Sequence, residues 1–315
     1  MSIEVLKPGM QSTIQDDGRS GYMDMGVAHG GVMDTLSMQL ANWLVGNPPS
    51  QAVIEICLIG PALLFKQALT IAITGAYFEL SVSDKKGHVR TVFNDQTVQL
   101  KAGDTLHFGK RLQGARAYLA FAAKLDAKAI LGSYATHILA EFGGVFGRPL
   151  KSGDVIPLRQ CQRRVTRQLD SNIAQRYSGR YVLRCTDSVE SAQFSQQQKE
   201  AFYQQTYKVS PSSNRMGLRF EGEPLAMQNM LEMTSSGLTQ GSVQIPPSGL
   251  PIISSVDGQT IGGYPRIANV ISVDLFALGQ LVAGDQIYFA YIAVQQAQDL
   301  LLEQQKWLAQ WDLSK

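Results

Sequence analysis

Two polar, glycine-rich stretches carry the side chains best suited to chemistry. In the segment from Ser236 to Pro265, Asp257, Gln259, Thr260 and Tyr264 crowd beside the Gly262-Gly263 pair. Paired glycines let a backbone reach φ > 0 and approach another group closely. The second stretch runs from Gln15-Asp16-Asp17-Gly18-Arg19 through Gly30-Gly31-Val32-Met33-Asp34. Two such stretches, far apart in sequence, are expected to meet in one composite site. Arginine can bind an acid group, and backbone N–H groups on glycine turns can stabilise an oxyanion. Asp16, Arg19, Gln259 and Tyr264 are the candidate catalytic residues. His29, Arg148, Asn214, Arg215, Ser236, Thr260, Gly262 and Gly263 are the candidate substrate-binding residues. The set suits work at an amide or a carboxylate and contains no obvious activated nucleophile.

Several of these residues have a plainer reading. Asp34 precedes a helical pattern and could simply cap it. Gly143-Gly144-Val145-Phe146-Gly147-Arg148 could be a tight turn, or Arg148 could hold a carboxylate or phosphate by a forked pair of hydrogen bonds. His107 reads as structural within a strand, whereas His29 lies beside two glycines in the N-terminal loop. Neither His-Glu-x-x-His nor a Cys-x-x-Cys pair occurs, so no protein-held metal is expected. The P-loop, the dinucleotide-binding glycine fingerprint and the Gly-x-Ser-x-Gly elbow are also missing.

The elements that must position these groups are mostly short strands. Val53–Ile56, Thr70–Ile73, Phe78–Val82 and Val89–Phe93 are β-branched or aromatic. A Gly-Asp pair that follows a leucine and precedes a strand recurs three times, at Gly103-Asp104, Gly153-Asp154 and Gly284-Asp285. A turn with left-handed glycine is expected at each. Helices are expected over Thr35–Val45, capped by Asp34 and stopped by Gly46, over residues 196–205, and over Ala293–Leu313. The last is amphipathic through Leu300, Leu301, Trp307, Leu308 and Trp311, and suits packing on its own barrel or an intersubunit contact. The polar run Gln160–Arg180 separates two strand-rich parts, giving an N-terminal β-rich subdomain over 1–170, a C-terminal barrel over 180–292 and a closing helix over 293–315.

Bulk properties narrow the class further. The chain has 315 residues, 28 Lys plus Arg against 26 Asp plus Glu, and 44% hydrophobic residues, so a strongly basic nucleic-acid footprint is not indicated. The densest basic cluster, Arg159–Arg167, reads as a solvated linker. Cys57, Cys161 and Cys185 form no disulfide framework, and the N-terminus lacks a signal-peptide core, so a cytoplasmic location is expected. The longest apolar stretch, Ala52–Phe65, is too short for a membrane helix.

An ordered set of motifs carries a family resemblance. It comprises Gln15-Asp16-Asp17-Gly18-Arg19-x-Gly21, Gly30-Gly31-Val32-Met33-Asp34, Ala41-Asn42-x-Leu44-Val45-Gly46-Asn47, Glu55, and Gly60-Pro61. It continues with Gly132-Ser133-x-Ala135-Thr136, Gly143-Gly144-x-x-Gly147-Arg148-x-Leu150, Asn214-Arg215-Met216-Gly217 and Gln259-Thr260-x-Gly262-Gly263-Tyr264-Pro265. Over residues 5 to 292 the chain resembles the KipA family, also called allophanate hydrolase subunit 2 or the biotin-dependent carboxyltransferase family. Within it, the chain resembles the free-standing form that serves as the C component of 5-oxoprolinase. The resemblance implies a mainly β fold of cyclophilin-like β-barrel halves with a few short helices. It also implies two partners: a KipI-like subunit (the B component of 5-oxoprolinase) and a LamB/YcsF-like subunit (its A component). Together they would open 5-oxoproline to L-glutamate, with ATP as a cofactor of the complex activating the lactam oxygen. Other members move CO2 from carboxybiotin to urea. This chain has no Met-Lys-Met attachment site, so covalently bound biotin is not expected. A third role implied by the family is regulatory, as antagonist of a KipI-like kinase inhibitor. At Ser235-Ser236-Gly237 relatives often have Ser-Glu-Gly, which puts a general-base role for that position in question.

Overall fold

The computed structural model describes residues 1–160, 165–170, 177–227 and 233–310. Cys161, Trp311 and part of the Arg159–Arg167 cluster lie outside them. The chain is mainly β and divides into two compact units. The first takes Met1–Arg19 and Gly30–Tyr177, and the second takes Ser20–His29 and Ser178–Asp312. Thus ten residues of the N-terminal polar loop, His29 among them, belong with the C-terminal strands.

The first unit runs β1 (Ser2–Lys7), β2 (Gln11–Gln15), α1 (Thr35–Val45), β3 (Val53–Cys57), β4 (Ala62–Phe65), β5 (Leu69–Ser83), β6 (Val89–Val92), β7 (Thr97–Leu100), β8 (Thr105–Phe121), β9 (Lys124–Leu125) and β10 (Val155–Arg159). These strands form a ten-stranded sheet in the order β2-β3-β8-β4-β1-β10-β9, with β5 joining β8 to β6 and β7. The sequence suggests two strands where β5 is one. Gly75, at φ 80°, and register shifts between Gly75 and Leu80 let the chain bend without breaking its pairing to β8. Asp34 caps α1 by accepting a hydrogen bond from the Ser37 N–H, and left-handed Gly46 ends it, as the sequence signals indicate.

The second unit runs β11 (Arg180–Asp187), α2 (Gln196–Gln204), β12 (Tyr207–Val209), β13 (Gly217–Glu221), β14 (Ser236–Gly237), β15 (Ser242–Gln244), β16 (Ile252–Ser254), β17 (Ile261–Gly262), β18 (Arg266–Val270), β19 (Gln286–Tyr291) and α3 (Val294–Gln310). Seven strands close a barrel in the order β11-β18-β15-β16-β13-β12-β19, and β14 pairs with β17 as a separate two-stranded ribbon. Strand alternation fills the barrel with apolar side chains, among them Leu183, Leu218, Phe220, Val243, Ile253 and Phe289. Phe202 of α2 stacks on Phe289 with ring centroids 4.5 Å apart. The barrel interior is therefore a packed core, and any ligand must bind outside it. Leu300, Leu301, Trp307 and Leu308 of α3 are half-buried, and the helix packs against the 272–280 segment and β11. Among the described residues, no helix is long and apolar enough to cross a membrane.

The three Gly-Asp turns share one construction. Gly103, Gly153 and Gly284 all have left-handed φ, at 90°, 85° and 96°. The aspartate carboxylate accepts from the N–H three residues back: Asp104 from Lys101, Asp154 from Lys151 and Asp285 from Val282. Each turn also exchanges two backbone bonds with a neighbouring strand, at Phe65, Val5 and Val209 respectively. Leucine-x-x-Gly-Asp is thus a strand-entry device used twice in the first unit and once in the second.

Candidate functional site

The main cavity of the second unit lies on the outer face of its barrel and measures about 450 Å³. Its floor follows from strand alternation. Leu218, Val243 and Ile253 point into the core, so their neighbours Gly217, Arg219, Gln244, Ile252 and Ser254 face outward. The ladder aligns these neighbours: Arg219 is opposite Ile252, Ile252 is opposite Gln244, and Gly217 is opposite Ser254. The walls come from Leu238, from Gly262, Gly263 and Tyr264, from Gln259, and from the Asn214–Met216 turn. A smaller cavity of about 160 Å³ shares Leu238, Ser254 and Gln259 with the first and adds His29, Met23 and Gln240.

The ribbon wall is clamped from beneath. Arg266 of β18 forms a forked ion pair with Glu190, one arm from Nε to Oε2 at 2.6 Å. The same guanidinium donates to the Gly237 carbonyl at 2.6 Å and to Ser236 Oγ at 3.0 Å. Both ion-pair partners are buried. The Arg266 hydrogen bonds hold the Glu190 carboxyl below its ordinary value, although burial acts in the opposite direction. Ser236 therefore anchors the ribbon through Arg266.

Two pocket residues escape sequence reasoning. Arg219 is exposed, and among the described residues no hydrogen bond or ion pair holds its guanidinium. Gln244 is only 8% exposed, and no described group hydrogen-bonds its side-chain amide. Its amide lines the cavity, where it can both donate to and accept from a ligand. Among the described lining residues Arg219 is the one cation, and there is no carboxylate. The cavity thus offers one positive charge, three amides (Asn214, Gln244 and Gln259) and two hydroxyls (Ser254 and Tyr264) beside apolar Met216, Leu238 and Ile252. It suits a small molecule with one acid group and an amide.

Of the sequence candidates, the structure gathers Asn214, Gln259, Gly262, Gly263 and Tyr264 at the main cavity and His29 at the adjoining one. Thr260 is half-buried and its carbonyl holds the Leu238 N–H at 2.8 Å. The expected left-handed Gly-Gly turn is corrected: neither Gly262 nor Gly263 has positive φ, and Gly262 lies in β17. Small size is what matters there. A Cβ on Gly262 would fall 2.7 Å from Gln244 Nε2, and one on Gly263 would fall 3.3 Å from Ser235 Oγ.

Four charged candidates are each engaged with residues of their own unit. Asp16 is buried and accepts from the Gly18 N–H, Ser133 Oγ and the Tyr134 N–H. Arg19 is 1% exposed, donates to the Ala135 carbonyl and lies 4.6 Å from the Phe142 ring centroid. Arg148 does grip a carboxylate by a fork, but it is the chain's own Asp154, at 2.7 and 2.9 Å. Arg215 is buried and pairs with Asp257 at 2.7 and 3.0 Å, stitching the Asn214 turn to the Gln259 loop. These side chains hold the loops in shape. Among the described residues no cluster of three or more His, Cys, Asp or Glu is arranged to hold a metal.

A mainly β chain of two units with a polar cavity beside a closed barrel fits one family by sequence as well. The family described as "Carboxyltransferase domain, subdomain A and B" matches residues 25–291, and the chain belongs to it. It is 33% identical over 308 residues to the C component of 5-oxoprolinase from Escherichia coli, covering 98% of this chain and 97% of that protein. It is 36% identical over 308 residues to the C component of 5-oxoprolinase from Haemophilus influenzae, with the same coverage of 98% and 97%. Among solved structures, K. lactis urea amidolyase superposes with a TM-score of 0.89 at 29% identity. That match covers 98% of this chain but 20% of the longer one.

Proposed function

We propose that this chain is one component of an ATP-dependent 5-oxoprolinase and that its cavity holds the cyclic amide. The observation that carries this reading is length: the similarity to the C component of 5-oxoprolinase spans 98% of this chain and 97% of the relative. The cavity's chemistry supports it. 5-Oxoproline bears one carboxylate and one lactam. Arg219 takes the carboxylate, and the Gln244, Gln259 and Asn214 amides pair with the lactam N–H and C=O. Tyr264 and the backbone at Gly262 and Gly263 line the same cavity, and on this reading they meet the charge that develops on the lactam oxygen. One cation and no carboxylate among the described lining residues make a poor match for a triphosphate with its metal ion. ATP therefore belongs to the complex, with KipI-like and LamB/YcsF-like proteins as partners.

The similarity to urea amidolyase favours a second reading, transfer of a carboxyl group from biotin carried elsewhere to urea or a related amide. One reconstitution separates the two. The chain is mixed with both partners, and 5-oxoproline loss and ADP release are followed with and without bicarbonate and a biotinyl domain. Turnover that falls to background when this chain is omitted supports the proposal. Equal turnover without it removes the proposal, and a requirement for biotin and bicarbonate moves the assignment to the second reading. Intact partner binding with no turnover under any condition would leave the regulatory role implied by the family.

A further inference from the structure

The first unit has a cavity of its own, of about 310 Å³, that the proposed function does not use. Strands β9 and β10 place Lys124 and Arg159 directly opposite each other, and both line it. Two like charges in a cross-strand pair repel, so this arrangement weakens the sheet unless an anion lies between them. Among the described residues no hydrogen bond or ion pair engages the Lys124 ammonium. Among the described residues Arg159 has one partner, Asp126, at 3.7 Å, too far for a hydrogen bond. Ser50 and Tyr134 line the same cavity and bring hydroxyl donors. Asp16 also lines it, but three donors from the chain already hold its carboxylate.

From this juxtaposition we infer that the cavity binds a small tetrahedral oxyanion of the phosphate class. Two cations and two hydroxyls match a multiply charged anion with several acceptor oxygens better than they match a single carboxylate.

The test titrates inorganic phosphate into the full chain, reading chemical shifts and melting temperature, with sulfate and acetate as competitors. Saturable binding with Kd of about 1 mM or tighter is expected. Lys124→Met and Arg159→Met should each weaken it roughly tenfold, the loss of one charge-assisted contact. Asp126→Asn should tighten it, because Arg159 is then released toward the anion; a merely structural role would not have that sign. Lys124 and Arg159 are exposed, so the variants should fold. Binding that does not saturate, or that is unchanged in both Met variants, overturns the inference. Displacement by acetate as effective as by sulfate overturns the phosphate assignment.

Discussion

Glu190→Gln tests how the pocket wall is held. The Glu190–Arg266 pair is buried, with side-chain exposures of 8% and 10%. Breaking such a pair from one side costs about 3–5 kcal/mol, because a charge is left buried without its counterion. Arg266 keeps its bonds to the Gly237 carbonyl and Ser236 Oγ, and glutamine keeps an acceptor, so the low end, about 3 kcal/mol, applies. For a unit of this size that is a fall of roughly 6–12 °C in melting temperature. The pH dependence has a definite sign. Glu190 is held below its ordinary value of 4.5, so its stabilisation is fully present above that pH and is lost as pH falls through the lower folded-state value. The gap between wild type and Glu190→Gln should be full at about pH 7.5 and should shrink steadily as the pH is taken below about 4.5. Urea unfolding of both proteins across that range measures it. A gap under about 1 kcal/mol at neutral pH, or one that stays constant on acidification, would refute the clamp.

Three further outcomes check the architecture. Gly143→Ala should cost about 3 kcal/mol or more in urea unfolding, since φ is 77° and the new Cβ would lie 2.0 Å from the Ala135 carbonyl oxygen. Gly153→Ala meets nothing within 4 Å and should cost only the left-handed penalty, about 1–2 kcal/mol; equal losses at the two positions would contradict the packing. Burial pushes the Cys185 thiol well above its ordinary range, so peptide mapping after alkylation should find it unlabelled in the native protein and labelled in denaturant. Native labelling at the rate of half-buried Cys57 would place it wrongly.

Features whose physics is local are legible in the sequence. The Asp34 cap, the Gly46 stop and the three Gly-Asp turns each depend on residues within a few positions. The arginines mislead because their partners are invisible locally or unremarkable when seen. Arg215 meets Asp257 from 42 positions away, and Arg19 meets Ala135 from 116. Arg148 lies six residues from Asp154, but that aspartate already accounts for a turn. Arg219 and Gln244 escape notice for another reason. An outward polar residue on an alternating strand looks like an ordinary solvated face until the β14–β17 ribbon is seen to wall it in. Gly262 stands out in the sequence as unusual, and of the two properties expected of the glycine pair it has the close approach, to Gln244 Nε2, and not the positive φ.

On the proposed function, Arg219 receives the substrate's acid group on the outside of the barrel. The direct measurement is kcat/KM for 5-oxoproline and for 2-pyrrolidinone, the same lactam without a carboxylate, in the assembled complex carrying Arg219→Met. Its guanidinium is bound to no described residue, so melting temperature should not move. Loss of one charge-assisted contact predicts a fall of about 10- to 100-fold for 5-oxoproline and no change for 2-pyrrolidinone. Wild-type kcat/KM for 5-oxoproline in that variant, or an equal fall for both lactams, would contradict the claim.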